Sequence, residues 1–422
     1  MKKAAVPRQP AVRWAGKQGA WRPAARQDKP SRPAGVTGPF GGAPLEERGK
    51  CAVPAVSMLI KPASDACDLR CSYCFYADLA EKGGCPSGQR MSEETLAAVI
   101  QKGMAAAEGA CRFAFQGGEP TLAGLDFFRR AVDLQRAFSR EGLRVENAIQ
   151  TNGCSIDAEW AAFLAQERFL VGLSLDGTRA SHDAFRRDSR GEGTFRRVLS
   201  AHKLLREAGA EVNILTVVTP AVARQADRVW DFYREQGFDY LQFIPCMAPL
   251  GQPAAGPQAL TQKQYGDFLC RIFDLWHSDL RRGRYVNVRY FENLLGLAAG
   301  RPPEECGLCG RCANQLVVES DGSVYPCDFY VLPQWKLGEI GRDDLSDLLR
   351  SPPSGEFTAP LPLPPRCGGC RWRPLCGGGC RRERETPDGL GEYRWCAATR
   401  RFLEYAWPRL QKLVPYVRRD GR

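Results

Sequence analysis

Histidine is almost missing from this chain, with three in 422 residues. That scarcity excludes histidine-built metal centres and leaves sulfur as the main ligand source. Long apolar runs are missing too. No stretch approaches the ~18 consecutive apolar residues of a membrane-spanning helix, so no membrane partner is expected. The N-terminus is basic, but no apolar segment follows it, so it does not read as a secretory signal. Without export, the eighteen cysteines do not read as a disulfide framework, which suits short secreted chains. A reducing cytoplasm with metal–sulfur ligation fits better. Many cysteines on iron also imply sensitivity to oxygen.

Acids are scarce only at the start. In residues 1–50, eleven Lys and Arg face Asp28, Glu46 and Glu47, a local charge of +8 within a total of +11. This stretch is rich in Pro, Gly, Ala and Arg and lacks a periodic apolar pattern. It reads as a disordered basic tail. A solvated extension is the preferred reading over a nucleic-acid or other acidic partner, so no nucleic acid is expected. The remaining residues suffice for two or three domains, and the hydrophobic content of 44% is that of a globular protein.

Beyond the tail, strand and helix patterns alternate. Strands are expected at 56–60, 112–116, 145–150, 169–174, 212–218 and 240–244. Helices are expected from Ser92 and over 125–139, 157–166, 194–208 and 221–236. Ser92 supplies a cap, and Glu93 and Glu94 favour the first turn. Such alternation implies parallel strands with crossover helices. Six units suggest an α/β fold with an open, partial (β/α)6 barrel, whose site would lie at the carboxyl ends of the strands. Residues 249–260 are rich in Pro and Gly and read as a linker. A helix is expected at 261–281. From Cys306 to Cys396 the pattern is irregular, and such a segment needs a metal to order it. A closing helix is expected at 397–413. The implied divisions are 1–50 (tail), 51–250 (barrel), 251–300 (linker and helix), 301–396 (cysteine-rich domain) and 397–422 (C-terminal helix).

Cys67, Cys71 and Cys74 stand in Cys-Asp-Leu-Arg-Cys-Ser-Tyr-Cys-Phe-Tyr, a C-x3-C-x2-C spacing. Three thiolates on one loop hold three irons of a [4Fe–4S] cluster. The fourth iron is then open to a small molecule. The alternative is a zinc site short of one ligand, although zinc loops usually pair two C-x2-4-C units. The next strand ends in Gln116-Gly117-Gly118-Glu119-Pro120. Its paired glycines admit close approach to the backbone, and Glu119 is placed to accept a hydrogen bond from an amino group. Alone, that run is only a turn. Later strand ends carry Thr151-Asn152-Gly153 and Ser174-Leu175-Asp176-Gly177, with His182 and Arg186 soon after. A hydroxyl and a guanidinium there suit a carboxylate and a ribose. The plainer alternatives are a structural cap for His182 and a surface ion pair for Arg186. Cys306, Cys312, Cys327, Cys367, Cys370, Cys376, Cys380 and Cys396 suffice for two fully ligated clusters, with a zinc ribbon as the alternative.

The cysteine loop together with the Gly-Gly-Glu-Pro turn resembles the radical S-adenosylmethionine (SAM) superfamily. The later cysteines resemble its SPASM extension. Longer strings are more specific: Ser57 to Ser64, Phe113 to Gly124, Gly172 to Gly177, and Tyr325-Pro326-Cys327-Asp328-Phe329-Tyr330. They resemble anaerobic sulfatase-maturating enzymes over about residues 56–400.

The resemblance implies SAM and three [4Fe–4S] clusters. One would sit on Cys67, Cys71 and Cys74, and one on Cys306, Cys312, Cys327 and Cys380. The third would sit on Cys367, Cys370, Cys376 and Cys396. It also implies SAM contacts from Tyr73, Gly118, Glu119, Ser174, Arg186 and Met247. Tyr76 and Gln116 would line a peptide pocket, and Asp328 would be the catalytic base. The implied activity converts a cysteine or serine of an unfolded sulfatase polypeptide to Cα-formylglycine without oxygen. A 5′-deoxyadenosyl radical would take a Cβ hydrogen, a task beyond ordinary acids and bases. Asp328 would take the thiol or hydroxyl proton, and an auxiliary cluster the second electron. An electron donor such as flavodoxin or ferredoxin is the second implied partner. Two features depart from the pattern: the long basic tail, and Cys309, which sits where it competes as a ligand.

Two other functions remain open at this point. One is a SPASM enzyme that crosslinks a precursor peptide through thioether or carbon–carbon bonds. Such enzymes often carry a folded peptide-binding domain, which the tail does not resemble. The other is a non-catalytic iron–sulfur electron carrier, in which the Gly-Gly-Glu-Pro turn and Asp328 have no purpose.

Overall fold

The computed structural model describes residues 56–83 and 88–419. The 1–50 stretch and its expected disorder lie outside the described residues. Six strands form the frame: β1 (Val56–Ile60), β2 (Ala110–Phe115), β3 (Arg144–Thr151), β4 (Leu170–Ser174), β5 (Glu211–Val218) and β6 (Tyr240–Pro245). Each pairs in parallel with the next, in chain order. Helices between successive parallel strands give this order when every crossover has the same hand. Every expected strand is present, with ends moved by a residue or two.

Local chemistry explains where the helices start. The Ser92 hydroxyl accepts from the Thr95 amide before Glu93–Ala106, and Asp157 accepts from the Trp160 amide before Ala158–Gln166. Thr261 and Gln264 close a capping box on Gln262–Arg281. The expected helix at 221–236 is two pieces, Pro220–Ala223 and Ala226–Gln236. The closing helix is longer than expected, Cys396–Arg419, and runs through Pro408 and Pro415. Each proline removes a helical hydrogen bond. Buried Ala406, Trp407 and Leu410 nevertheless hold this helix against Gln262–Arg281. The stretch 251–300 also contributes more than a linker and one helix. It adds β7 (Asn287–Val288), parallel to β6, and the helix Arg289–Ala298.

The sheet also crosses the expected boundary into the cysteine-rich domain. β8 (Val317–Val318) pairs in parallel with β1. β9 (Ser323–Tyr325) and β10 (Gly338–Glu339) continue antiparallel, completing one ten-stranded sheet. Two apolar cores pack against it. One gathers Phe113, Phe115, Phe128 and Trp160. The other joins β4–β6 to the last long helices through Phe273, Trp276, Phe291 and Phe402. The carboxyl ends of β1–β6 therefore share one rim, and the motif residues lie there. Among the described residues no helix is long and apolar enough to cross a membrane.

Candidate functional site

After β1 the chain enters the cysteine loop, and the Gly-Gly-Glu-Pro turn fastens to it. The Gly118 amide donates to the Ser64 carbonyl at 2.7 Å, and the Glu119 amide to the Ala66 carbonyl at 2.7 Å. A Cβ on Gly118 would stand 2.1 Å from the Ala66 carbonyl oxygen. The glycine thus admits the protein's own backbone. Gly118→Ala is expected to part the two loops at a cost of about 1–3 kcal/mol. The check is a lowered Tm together with reduced iron content.

Glu119 is buried and already engaged. Its Oε1 accepts from the Thr121 amide at 3.1 Å, the Thr121 hydroxyl at 2.7 Å and the Thr151 hydroxyl at 2.8 Å. Its Oε2 accepts from the Asn152 amide at 2.7 Å. Burial pushes its carboxyl up, while these donors oppose the rise. The carboxylate offered above to a ligand's amino group also ties the end of β2 to the end of β3. Asn152 reaches on to Asp68 at 2.7 Å, linking the third strand end to the cysteine loop.

Asp176, after β4, is a hub that the sequence analysis did not single out. Its carboxylate accepts from the Tyr73 hydroxyl, from Arg186 Nε at 2.9 Å and from the Val217 amide at 2.9 Å. Burial works against the charge on Arg186, and Asp176 outweighs it, so this ion pair is internal and not a surface one. His182 takes its plainer reading. Its Nδ1 accepts from the Asp176 amide at 3.2 Å, and burial lowers its pKa to about 4, which keeps it neutral. Ser174 Oγ accepts from Gln150 at 3.0 Å.

Cys71, Tyr73, Cys74 and Met247 line one groove of about 360 Å³, together with Asp78, Glu81 and parts of 248–259. The expected linker is therefore a wall of the site.

A second constellation lies at the ends of β1 and β2. Tyr76 comes from a short helix, Phe75–Glu81, that begins directly after Cys74. Its hydroxyl donates to Asp328 Oδ2 at 2.5 Å. Gln116 Nε2 donates to the Tyr76 hydroxyl at 2.7 Å and to Asp328 Oδ2 at 3.0 Å. Asp328 Oδ1 is buried with no hydrogen-bond partner. Burial pushes the Asp328 carboxyl up, Lys61 and Tyr76 oppose the rise, and Glu319 adds to it. Lys61 and Glu319 form a fully buried ion pair, with the Lys61 Nζ 4.9 Å from the Tyr76 ring centre. Two residues far from Asp328 in the sequence, Tyr76 and Gln116, thus hold one carboxylate oxygen and leave the other free.

The cysteines expected as ligands are all free thiols. Their mutual repulsion sorts them into three sets. Cys71 adds to the rise at Cys67, and Cys74 to the rise at Cys71. Cys306, Cys312, Cys327 and Cys380 are each raised by at least one other of the four. Cys370 and Cys396 both add to the rise at Cys367 and at Cys376. Burial pushes Cys67 and Cys380 up to about 12, and Cys71, Cys312 and Cys376 to about 11. Such thiols stay protonated until a cation draws the protons off. Among the described residues no three His, Cys, Asp or Glu side chains close on a single metal ion. Sets built wholly of free thiols are the donors that an iron–sulfur cluster takes. Cys309 is disulfide-bonded and stands apart from these free thiols.

The model of the radical SAM superfamily matches residues 62–231, and that of an iron-sulfur cluster-binding domain matches residues 306–371. The chain is similar to the cysteine-type anaerobic sulfatase-maturating enzyme of Clostridium novyi, at 42% identity over 354 residues. That match covers 83% of this chain and 95% of the relative. The serine-type anaerobic sulfatase-maturating enzyme of Klebsiella pneumoniae is 31% identical, over 85% of this chain and 89% of the relative. Native anSMEcpe with bound AdoMet and Kp18Cys peptide has a similar structure, with a TM-score of 0.82 and 41% identity. It covers 86% of this chain and 99% of that chain.

Proposed function

The chain belongs to the anaerobic sulfatase-maturating enzymes, radical SAM oxidoreductases with SAM and [4Fe–4S] clusters as cofactors, and we propose that it oxidises a cysteine of an unfolded sulfatase polypeptide to Cα-formylglycine. The choice of cysteine over serine rests on identity, 42% to the cysteine-type relative against 31% to the serine-type one. The observation that carries the chemistry is Asp328, whose Oδ2 is held by Tyr76 and Gln116 while its buried Oδ1 has no partner.

When bound, SAM and the clusters supply a radical that removes a Cβ hydrogen and a sink for the second electron. The rest falls to side chains. Cys67, Cys71 and Cys74 hold the first cluster beside the groove. Cys306, Cys312, Cys327 and Cys380 hold the second, and Cys367, Cys370, Cys376 and Cys396 the third. Tyr73 and Met247 face SAM from the groove, where Cys71 and Cys74 also open. Arg186 and Ser174 serve SAM from the end of β4. Gly118 and Glu119 act one layer back, fixing the loop that carries the cysteines. Asp328 takes the thiol proton through Oδ1. Its raised pKa suits a base, because a carboxylate that binds a proton more tightly removes it more readily. Tyr76 and Gln116 orient that carboxylate and border the peptide. An electron donor such as flavodoxin or ferredoxin is the second partner, and the reducing cytoplasm is the compartment.

The test is anaerobic reconstitution with iron, sulfide, dithionite and SAM, then mass spectrometry of sulfatase-motif peptides bearing cysteine or serine. The cysteine peptide is expected to become the aldehyde faster. A thioether or carbon–carbon crosslink, or an unchanged peptide, would overturn the reading.

A further inference from the structure

Arg381, Arg382 and Arg384 closely follow the ligand Cys380, and the fold uses up two of them. Arg382 donates to the Ala248 carbonyl at 2.6 Å, and Arg384 to the Pro362 carbonyl and, at 3.1 Å, to the Gly391 carbonyl. Arg381 is held differently. Its guanidinium carbon lies 4.7 Å from the Trp335 ring centre, 5.1 Å from that of Phe357 and 5.4 Å from that of Tyr330. The three rings form a cage, and aromatic faces attract a cation. Only 11% of the Arg381 side chain is exposed.

Little in the cage neutralises that charge. The nearest described carboxylate oxygen, Glu385 Oε1, stands 3.8 Å away and accepts from the Tyr330 hydroxyl at 2.8 Å. Arg381 Nε is buried with no hydrogen-bond partner, and a terminal nitrogen reaches the Phe357 carbonyl only at 3.4 Å. Burying a cation is costly, and an apolar side chain would fill the same space without that cost. Packing alone therefore does not account for an arginine here. The apolar cluster built by these rings packs against Cys312 and Cys327, two thiols of the second set. Arg381 itself adjoins a third, Cys380. The cage thus sets a cation beside this thiol set.

We infer that the caged guanidinium of Arg381 raises the reduction potential of the cluster held by Cys306, Cys312, Cys327 and Cys380. The inference rests on that cluster assignment and is independent of which peptide is oxidised. A reduced [4Fe–4S] cluster holds one electron more than its oxidised form, with no proton or leaving group moved. A cation in a low-dielectric interior stabilises the more negative form. The dielectric and the charge around a cluster set its potential.

The experiment is a redox titration of the reconstituted full-length holoenzyme with dithionite, without peptide, followed by electron paramagnetic resonance. One wave per cluster is expected. Addition of SAM identifies the wave of the first cysteine loop, and Cys312→Ala identifies that of the second set. Arg381→Met is expected to disfavour reduction of the second-set cluster about tenfold, a move of about 59 mV to more negative potential for one electron. Arg381→Lys, which keeps the charge in the cage, should recover most of that loss. Glu385→Gln removes the carboxylate nearest Arg381 and should move the same wave the opposite way, which keeps the inference testable if the Met variant does not fold. Iron content and the other two waves should match the parent in all three. An unmoved second-set wave in Arg381→Met, equal shifts for Met and Lys, or a wave that stays or falls in Glu385→Gln would overturn the inference. Parent protein with iron far below about twelve per chain would instead overturn the three-cluster reading.

Discussion

Asp328→Asn is expected to keep its iron, bind SAM and lose product formation by roughly 10²-fold or more, the range of a lost general base. The substitution preserves shape. An Asn carbonyl oxygen in the place of Oδ2 still accepts from Tyr76 and Gln116, which now hold the carboxylate at 2.5 and 3.0 Å. What disappears is proton-accepting power at Oδ1, the buried oxygen without a partner. Because Asp328 belongs to a constellation separate from the groove of Cys71, Cys74 and Met247, SAM cleavage should persist, uncoupled from product. Iron analysis, SAM cleavage and peptide mass spectrometry on one preparation separate these outcomes. Parent-like oxidation by the Asn variant would make Asp328 a structural residue.

The second large effect concerns the first cysteine loop. Three clusters imply about twelve irons per chain, and replacing Cys67, Cys71 and Cys74 together with Ala should remove about four of them. SAM cleavage should vanish entirely. The fold around the loop should survive, because backbone bonds from Gly118 and Glu119 to Ser64 and Ala66 hold it independently of the thiols. The other two thiol sets lie on different segments and should keep their iron. Stoichiometric zinc with almost no iron in anaerobically purified parent protein would contradict this account.

Much of this architecture is legible in the sequence because long elements carry strong periodic signals. The six strands of the frame and their helices show themselves through apolar alternation and caps such as Ser92, Asp157 and Thr261. The cysteine sets are legible from spacing together with family resemblance. Asp328 is legible only from the string around Cys327. What escapes is short or depends on distant partners. β8 is two residues long, Val317–Val318, and nothing local tells that it will pair with β1. Yet that pairing joins the cysteine-rich domain to the barrel, and Asp328 is then bonded to Tyr76 and Gln116. Asp176 looks like a turn acid, and only folding brings Tyr73, Arg186 and the Val217 amide onto it. Glu119 looks free for a ligand until Thr121, Thr151 and Asn152 arrive. Residues 249–260 are poor in pattern and so read as a linker, although part of them walls the groove. Pro408 and Pro415 argue locally for a helix end, and tertiary burial overrides them.

The central claim is that a radical formed from SAM takes hydrogen from the Cβ of the target cysteine. The most direct measurement uses a sulfatase-motif peptide deuterated at that Cβ, incubated anaerobically with the reconstituted enzyme, dithionite and SAM. Deuterium is predicted to appear in 5′-deoxyadenosine as the peptide aldehyde forms. Aldehyde formation with unlabelled 5′-deoxyadenosine, or label drawn from any other position, would contradict the account.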